Sequence, residues 1–498
     1  MEKPGTIHKA KQPLLFLAAD LLITLLAWGR FCHRQFGADT VFQMILPPNN
    51  IVAWLQHGRY ATYLINQWLY EAGVLTTEHY FLFFVLFLLL IIGSIWLTQM
   101  LLLPYLSDRL SGSIPGQIAF VTATAFIFTN VLFSEHFMFP ECHGSFGAAY
   151  FFGILGVMAI IGKKSVRGFA CIILSCLFYQ TADILTAMLL TAALVFAHDF
   201  RLSRELVLKE ILYNVLILSV GFLNTQSTKL LIMIGVMQEG DITKHISLDL
   251  VGNFFDLSER ILKLMKNSMG LMPSVWAPLL VLIASLLLLF IPLIRGKKKE
   301  ETCTVLLCLL AEILLFFVLP LFSGVFPPRI AFTWYALQAV ILLMALYHTE
   351  KKTLRMMALC ALCGLYLIWQ MIACQKIITN RYISNDLDLY YAGLVLEEIE
   401  KHEAETGVAV TKIAFENDAY APNNYEQVHY KYEQINERVL TASPFVLLEY
   451  VNGPGIALKH VPMDPQIYEE HFAGKNWDDF DPSEQMVFVD DTVYWIIF

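Results

Sequence analysis

The sequence predicts an all-α polytopic membrane protein that ends in a small α/β domain. Three observations carry this. Of its 498 residues, 57% are hydrophobic and 15% charged; an ordinary soluble domain carries about 25% charged residues. Runs of roughly 20 apolar residues recur along the chain, each long enough to cross a hydrocarbon core of about 30 Å. The charge balance then changes sign. Residues 1–378 hold 27 basic and 21 acidic side chains, whereas residues 379–498 hold 7 basic and 22 acidic ones. A transmembrane domain over 1–378 and a separate domain over 379–498 follow.

Eleven spans are expected, near 12–29, 80–103, 117–134, 146–162, 168–181, 183–199, 211–229, 275–294, 303–322, 330–347 and 356–377. The first, "PLLFLAADLLITLLAWG", has full spanning length and no small-residue cleavage site, so it reads as a helix rather than a signal peptide. The stretch 168–199 is either one long helix or a tight hairpin. Charge decides between them. With a hairpin, the basic clusters at Lys3/Lys9/Lys11, Lys163/Lys164/Arg167, Arg201/Arg204/Lys209, Arg295/Lys297/Lys298/Lys299 and Lys351/Lys352/Arg355 all fall on one side. The positive-inside rule makes that side cytoplasmic, in a plasma membrane crossed many times, with the N-terminus inside and the C-terminal domain outside. The exofacial segments are then 30–79, 134–145 and 230–274. The inward loops are short and basic, so the working surface is expected outside.

The first outward loop contains "FGADTVFQMILPPNNIVAWLQHGRY". Asp39 lies about ten residues past the first span. A carboxylate at the membrane boundary suits a general base, and partial burial would raise its pKa toward a useful range; a solvated loop aspartate is the plainer alternative. Asn50 fits an N-cap. Ile51, Trp54, Leu55, Gly58, Ala61, Ile65, Trp68 and Leu69 form one helical stripe, which reads as an interfacial helix anchored by Trp54 and Trp68. Gly58 would allow close packing. His57 and Arg59 flank the stripe, and the planar fork of Arg59 suits a phosphate or a lipid headgroup.

Three further stretches concentrate polar groups. "SEHFMFPECHGS" packs Glu135, His136, Glu141 and His143 together without a standard metal-ligand spacing; a second carboxylate facing the same site as Asp39 is the preferred reading. "FYQTAD" puts Tyr179, Gln180 and Asp183 at the hairpin tip, where they suit a sugar or cap a tight turn. "FPPRI" puts Arg329 at the outer end of a span, away from every basic cluster, where a lipid-linked phosphate is its natural partner. Asp20 and Glu312 lie within spans, where ionisable groups are costly. Most of the nine cysteines sit in apolar runs as small hydrophobes. There is no Walker A loop or dinucleotide fingerprint, and no basic stretch interleaved with aromatics that would bind nucleic acid.

The tail opens with "NDLDLYYAGLVLEEIEKHEAETG", an amphipathic helix ending at Gly407. "VAVTKIAFE", "FVLLEYV" and "EQMVFVDDTVYWIIF" read as strands, the last a hairpin around Asp490-Asp491.

Together these motifs make the chain resemble polytopic glycosyltransferases of the GT-C class, most closely the glucosyltransferase II family that decorates bacterial surface polymers. The resemblance rests on "GAD" (37–39) after the first span, "HGR" (57–59) in an amphipathic helix, Tyr179-Gln180 in a mid-chain hairpin, Arg329 before a later span, the aspartate-bearing helix that opens the tail and the hairpin that closes it. The family places two adjacent acids after span one. Here Ala38 stands in place of one, so the resemblance leaves Asp39, or a substitute in Glu135 or Glu141, as base. It implies transfer of a hexose from a polyprenyl-phosphate donor to a surface glycan acceptor at the outer face. Arg59 and Arg329 would steady the leaving phosphate, and His57, Tyr179, Gln180 and Asp183 would contact the substrate. Partners are the lipid-linked donor, the glycan and membrane lipid, with no nucleic acid. No cofactor is implied; a divalent metal is allowed but not indicated. A lipid-linked oligosaccharide flippase or transporter, a surface-polysaccharide polymerase, and a non-enzymatic scaffold are the competing readings.

Overall fold

The computed structural model describes residues 4–235, 249–351, 353–417, 432–452, 458–475, 477 and 480–497, with no side chains described for 4–11 and 49–50. The central part of the expected 230–274 loop and the Asn50 cap lie outside what is described. The chain forms two compact units. One comprises Met1–His33, Ile51–Phe137 and Cys142–Gln375; the other comprises Arg34–Asn50, Met138–Glu141 and Lys376–Phe498.

Ten of the eleven apolar stretches are largely helical, and the eleventh, 117–134, is helical only as far as Ala125. Among the described residues eight helices reach spanning length: Gln12–Cys32, Tyr80–Leu110, Pro140–Ile161, Arg204–Met233, Ala277–Arg295, Lys299–Ser323, Pro328–Tyr347 and Leu354–Thr406. Three more, Ile114–Ala125, Ser165–Phe178 and Ala182–Ala197, are apolar but shorter. The protein is a polytopic membrane protein on this evidence. Only 11% of the apolar window of Arg204–Met233 is buried by protein. Leu212, Leu223, Leu280, Leu287 and Leu314 likewise stand exposed. Such a surface needs lipid around it.

The 168–199 stretch is a hairpin, with helices Ser165–Phe178 and Ala182–Ala197 meeting at Tyr179–Thr181. The expected span 117–134 is cut short at Ala125, although its sequence stays apolar. Asn130 explains the stop. Its Nδ2 donates to the Phe126 and Ile127 carbonyls (3.2 and 3.1 Å), and its Oδ1 accepts the Phe133 N–H (3.1 Å). An amide side chain that takes over the backbone's own partners ends a helix. The Val131 N–H is taken by Gln370 Oε1 at 2.9 Å, so this buried backbone donor of the turn is satisfied.

The interfacial helix expected over 51–69 is instead two helices, Pro47–Gln56 and Tyr60–Glu71, broken at Gly58. Gly58 has φ +71°, a left-handed conformation that side chains avoid. Trp68 is exposed, but Trp54 is buried, so only one of the two expected anchors faces outward.

The second unit holds a four-stranded sheet. Its strands are β1 (Lys412–Asn417), β2 (Lys459–His460), β3 (Met486–Val489) and β4 (Thr492–Ile497), in the order β2-β1-β4-β3. β1 runs parallel to both its neighbours, and β3 and β4 form the antiparallel hairpin at Asp490-Asp491. "FVLLEYV", expected as a strand, is the helix Pro444–Asn452. Proline at its first position is pre-set for a helix start, and a short apolar run does not distinguish strand from helix. The helix expected to open the tail does end at Thr406, but it begins at Leu354 and runs unbroken for 53 residues. The expected boundary at 378 therefore lies inside one helix. Along its later turns Ala392, Val395, Leu396 and Ile399 pack with Ile413, Leu447, Val493 and Trp495 as the core of this unit.

Candidate functional site

Each unit carries its own polar cluster. In the first unit the cluster is built on the break at Gly58. The loop His57–Arg59 is clamped through its carbonyls. Gln180 Nε2 donates to the His57 carbonyl, and Asn224 Nδ2 donates to the Gly58 carbonyl at 2.8 Å. The Tyr60 hydroxyl meets Ser227 Oγ at 2.6 Å. A Cβ on Gly58 would lie 2.9 Å from Gln180 Nε2 and 3.0 Å from Thr228 Oγ1. Glycine is therefore required both by φ and by space. Gly58→Ala is expected to cost about 2 kcal/mol, from the left-handed penalty and the displaced clamp. Thermal unfolding of the purified protein reads this loss; a melting temperature equal to wild type would refute the clamp.

The clamp aims Arg59. Its Cζ lies 5.1 Å from the Trp54 ring centroid and 5.0 Å from that of Tyr179. Two aromatic faces thus flank one guanidinium, an arrangement that holds charge and plane together. Among the described residues no carboxylate pairs with Arg59. The Tyr179 hydroxyl also lies in the field of Arg329 and of Glu135.

Arg329 is held differently. Its backbone N–H donates to Glu135 Oε2 (2.6 Å) and its Nη1 to Glu135 Oε1 (2.8 Å). Glu135 is fully buried. It is a charge partner of Arg329, where the sequence expects a carboxylate facing the same site as Asp39. Beside it, His136 stacks on Phe133 at 4.3 Å and meets Phe146 and Phe332 edge-on. Its Nδ1 sits 3.2 Å from the Phe133 carbonyl, which can only accept, so Nε2 takes the Tyr150 hydroxyl proton at 2.7 Å. Burial lowers the His136 pKa to about 3, against the Phe133 hydrogen bond and helped by Arg329 and His143. The ring is a neutral, structural histidine.

Two other expected residues do not face this cluster as substrate contacts. Gln180 spends its amide on the His57 carbonyl, so it positions the loop. Asp183 is buried in the helix Ala182–Ala197 against the helix Arg204–Met233, where a Cβ on Gly221 would lie 2.4 Å from its Oδ2. Its small neighbour makes room for a carboxyl between packed helices. His57 keeps its ring 6.2 Å from Trp54.

In the second unit Asp39 lies in the first turn of the helix Ala38–Ile45. It is exposed, which corrects the expected partial burial. Glu141 supplies a buried carboxylate close by and lies in the field of both Asp39 and Arg381. Thr40 joins the parts: its hydroxyl accepts the Gly37 N–H (3.2 Å) and donates to Glu141 Oε2 (3.0 Å). Glu141 thus lies near Asp39 although the two come from separate segments of chain.

Arg381 escaped the sequence reading. It is buried in the long helix, donates from Nε to Gln35 Oε1 (3.0 Å) and from Nη1 to the Glu437 carbonyl (2.9 Å). A Cβ on Gly37 would lie 2.9 Å from its Nη2, so the glycine of "GAD" admits this arginine. Asn385 reads both backbone groups of Phe36, accepting its N–H (3.1 Å) and donating to its carbonyl (3.0 Å). Asp388 was also missed. It pairs with buried Arg438 (3.2 Å) and accepts the N–H groups of Val439 (2.8 Å) and Leu440 (3.2 Å). Only the spacing "NDLD" hinted at it. Among the described residues no three His, Cys, Asp or Glu side chains gather as a metal-binding group.

Comparison with family models, with curated proteins and with solved structures finds no match to this chain.

Proposed function

We propose that this protein transfers a sugar, a hexose by its resemblance to the glucosyltransferase II family, from a polyprenyl-phosphate donor to a surface glycan at the outer face of the plasma membrane. The observation that carries the reading is Arg59. A guanidinium flanked by Trp54 and Tyr179 and without a paired carboxylate among the described residues has its charge available for an anion, and its fork matches a phosphate. A polytopic membrane protein that offers such a group suits a donor whose tail is lipid and whose head is phosphate.

In this reading an acceptor hydroxyl attacks the anomeric carbon. The bond from that carbon to the phosphate oxygen breaks, and the polyprenyl phosphate leaves with the electron pair. The resemblance assigns the proton of that hydroxyl to Asp39 as general base. Glu141, held by the Thr40 hydroxyl, is the second acid. Arg59 stabilises the charge that develops on the leaving phosphate, with Arg329 beside it.

Transfer measured with the purified chain in lipid nanodiscs, over a panel of polyprenyl-phosphate sugars, tests this. Asp39→Asn is expected to lower the rate about a thousandfold with the melting temperature unchanged, and Glu141→Gln to shift the pH profile. Full transfer by Asp39→Asn would remove Asp39 as base. Movement of an intact lipid-linked sugar across the bilayer without transfer would favour the flippase reading, and joining of lipid-linked repeats would favour the polymerase.

A further inference from the structure

Asp20, an acid within the first span, accepts Gln99 Nε2 at 2.8 Å. Glu312 has no such donor. It lies in the middle of the helix Lys299–Ser323, about 20 Å past Lys299. Both its carboxyl oxygens are buried, and neither has a hydrogen-bond partner. Glu210 acts on it from the helix Arg204–Met233. Asn214 follows Glu210 by one turn on the same face. It spends its Nδ2 on Thr191 Oγ1 (2.7 Å) and leaves its buried Oδ1 without a donor. Cys308, one turn before Glu312, lies in the field of both glutamates. Both helices pack against Ala182–Ala197, which supplies Thr191. Among the described residues no Lys, Arg or His pairs with either glutamate.

We propose that Glu312 and Glu210 form an intramembrane proton-binding site, with the proton held on Glu312 and exchanged by way of Glu210. The site is independent of the sugar transfer proposed above. Two carboxylates in each other's field do not both stay ionised where water is scarce. Among the described residues no three His, Cys, Asp or Glu side chains gather to hold a metal ion. A protonated carboxyl supplies the donor that the unpartnered oxygens lack. Access separates the two acids. Glu312 is fully enclosed, whereas Glu210 is half-buried and about 9 Å along its helix from Arg204. Glu210 therefore stands on the route to the membrane boundary, with Glu312 at its end. The titratable groups facing Glu312 are Glu210 and Cys308. Lys209, beside Glu210, pairs with Glu205. Asp183, Arg295, Tyr335 and Tyr347 lie toward the ends of the helices packed against Lys299–Ser323. The charged helix Leu250–Asn267 meets it at the far end, where Asn253 Nδ2 donates to the Leu321 carbonyl at 2.8 Å.

Labelling of the full chain in lipid nanodiscs with dicyclohexylcarbodiimide tests this. The reagent is apolar and adds to carboxyl groups that carry a proton, and peptide mass spectrometry locates the adduct. At about pH 7, Glu312 is expected to be labelled about tenfold faster than the exposed Glu205 and Glu259. Because the proton exchanges, the rate should fall about threefold or more as the pH rises to about 9. Replacing choline by sodium at constant ionic strength should leave the rate unchanged. These arms need no variant. Glu210→Gln, checked for its wild-type melting temperature, should slow labelling of Glu312 about fivefold at roughly pH 8, because it removes the charge that favours a proton there. Four results overturn the proposal. One is Glu312 labelled no faster than Glu205. Another is a rate that ignores pH, as a fixed packing group would give. The third is protection by sodium, which would make the occupant a metal ion. The last is wild-type labelling of Glu312 in folded Glu210→Gln protein.

Discussion

Replacing Arg59 with lysine is expected to lower transfer from a polyprenyl-phosphate sugar about a hundredfold, in the range found when one preorganised donor is removed from a reacting oxyanion. The substitution keeps the charge and removes the plane. Arg59 lies between the Trp54 and Tyr179 rings at about equal distance from each, and only a flat guanidinium fills such a slot while presenting paired N–H groups to one side. Lysine is a hydrated point charge on a flexible stem. It loses the stacking, worth about 0.5–2 kcal/mol per ring, and with it the fixed aim. Arg59→Ala should go further by removing the charge. Steady-state kcat/KM with a short-chain donor reads both effects, and the melting temperature shows whether the fold survives. Lysine at wild-type rates would show that this guanidinium does not hold the phosphate.

Asp388→Ala is expected to cost the second unit about 3–5 kcal/mol, the usual loss when one member of a buried ion pair is removed and the other stays behind. Asp388 and Arg438 are both essentially inaccessible to solvent. Asp388 also holds the N–H groups of Val439 and Leu440, which open the short helix Val439–Ala442. Without it three donors lose their acceptor at once. Asp386, two residues earlier in the same motif, is exposed, so Asp386→Ala is the matched control and should change little. The double variant Asp388→Leu/Arg438→Met should recover much of the loss, because it removes both charges. Thermal unfolding of the full chain, with limited proteolysis of the tail, measures all three. An Asp388→Ala protein as stable and protease-resistant as wild type would show that the pair contributes nothing.

The role of "NDLDLYYAG" illustrates what a sequence hides. Its helical period is plain, and its apolar face does become core. Which aspartate matters depended on where Arg438 arrives, and that is a contact across 50 residues. Glu135 and Glu141 make the same point more sharply. Six residues apart in one polar stretch, they were interchangeable as substitutes for the acid missing at Ala38. The fold divides them. Glu135 is committed to Arg329, and Glu141 goes with Thr40 to the other unit. No local signal separates them, because both choices are made by partners distant in sequence.

Gly58 is an intermediate case. Its place in an apolar stripe suggested close packing, and the packing is there, against Gln180, Asn224 and Thr228. The positive φ that splits the helix was not legible, since a glycine within a helical pattern is compatible with either outcome. Its polarity at a hairpin tip suits Gln180 to a sugar or to capping a tight turn. The structure gives its amide to a backbone carbonyl, a need created by the break itself.

By itself the sequence determined that this is a helical membrane protein, where its apolar helices lie, that 168–199 is a hairpin, and that the chain closes on the Asp490-Asp491 turn. These follow from hydropathy, charge and local turn chemistry, which act over a few residues to a few turns. The tertiary structure alone decided which charges are neutralised, which glycines are obligatory, and that Arg59 stands between two rings. Electrostatics and packing in a buried cluster depend on groups that the chain brings together from far apart, and their order along the sequence does not encode that meeting.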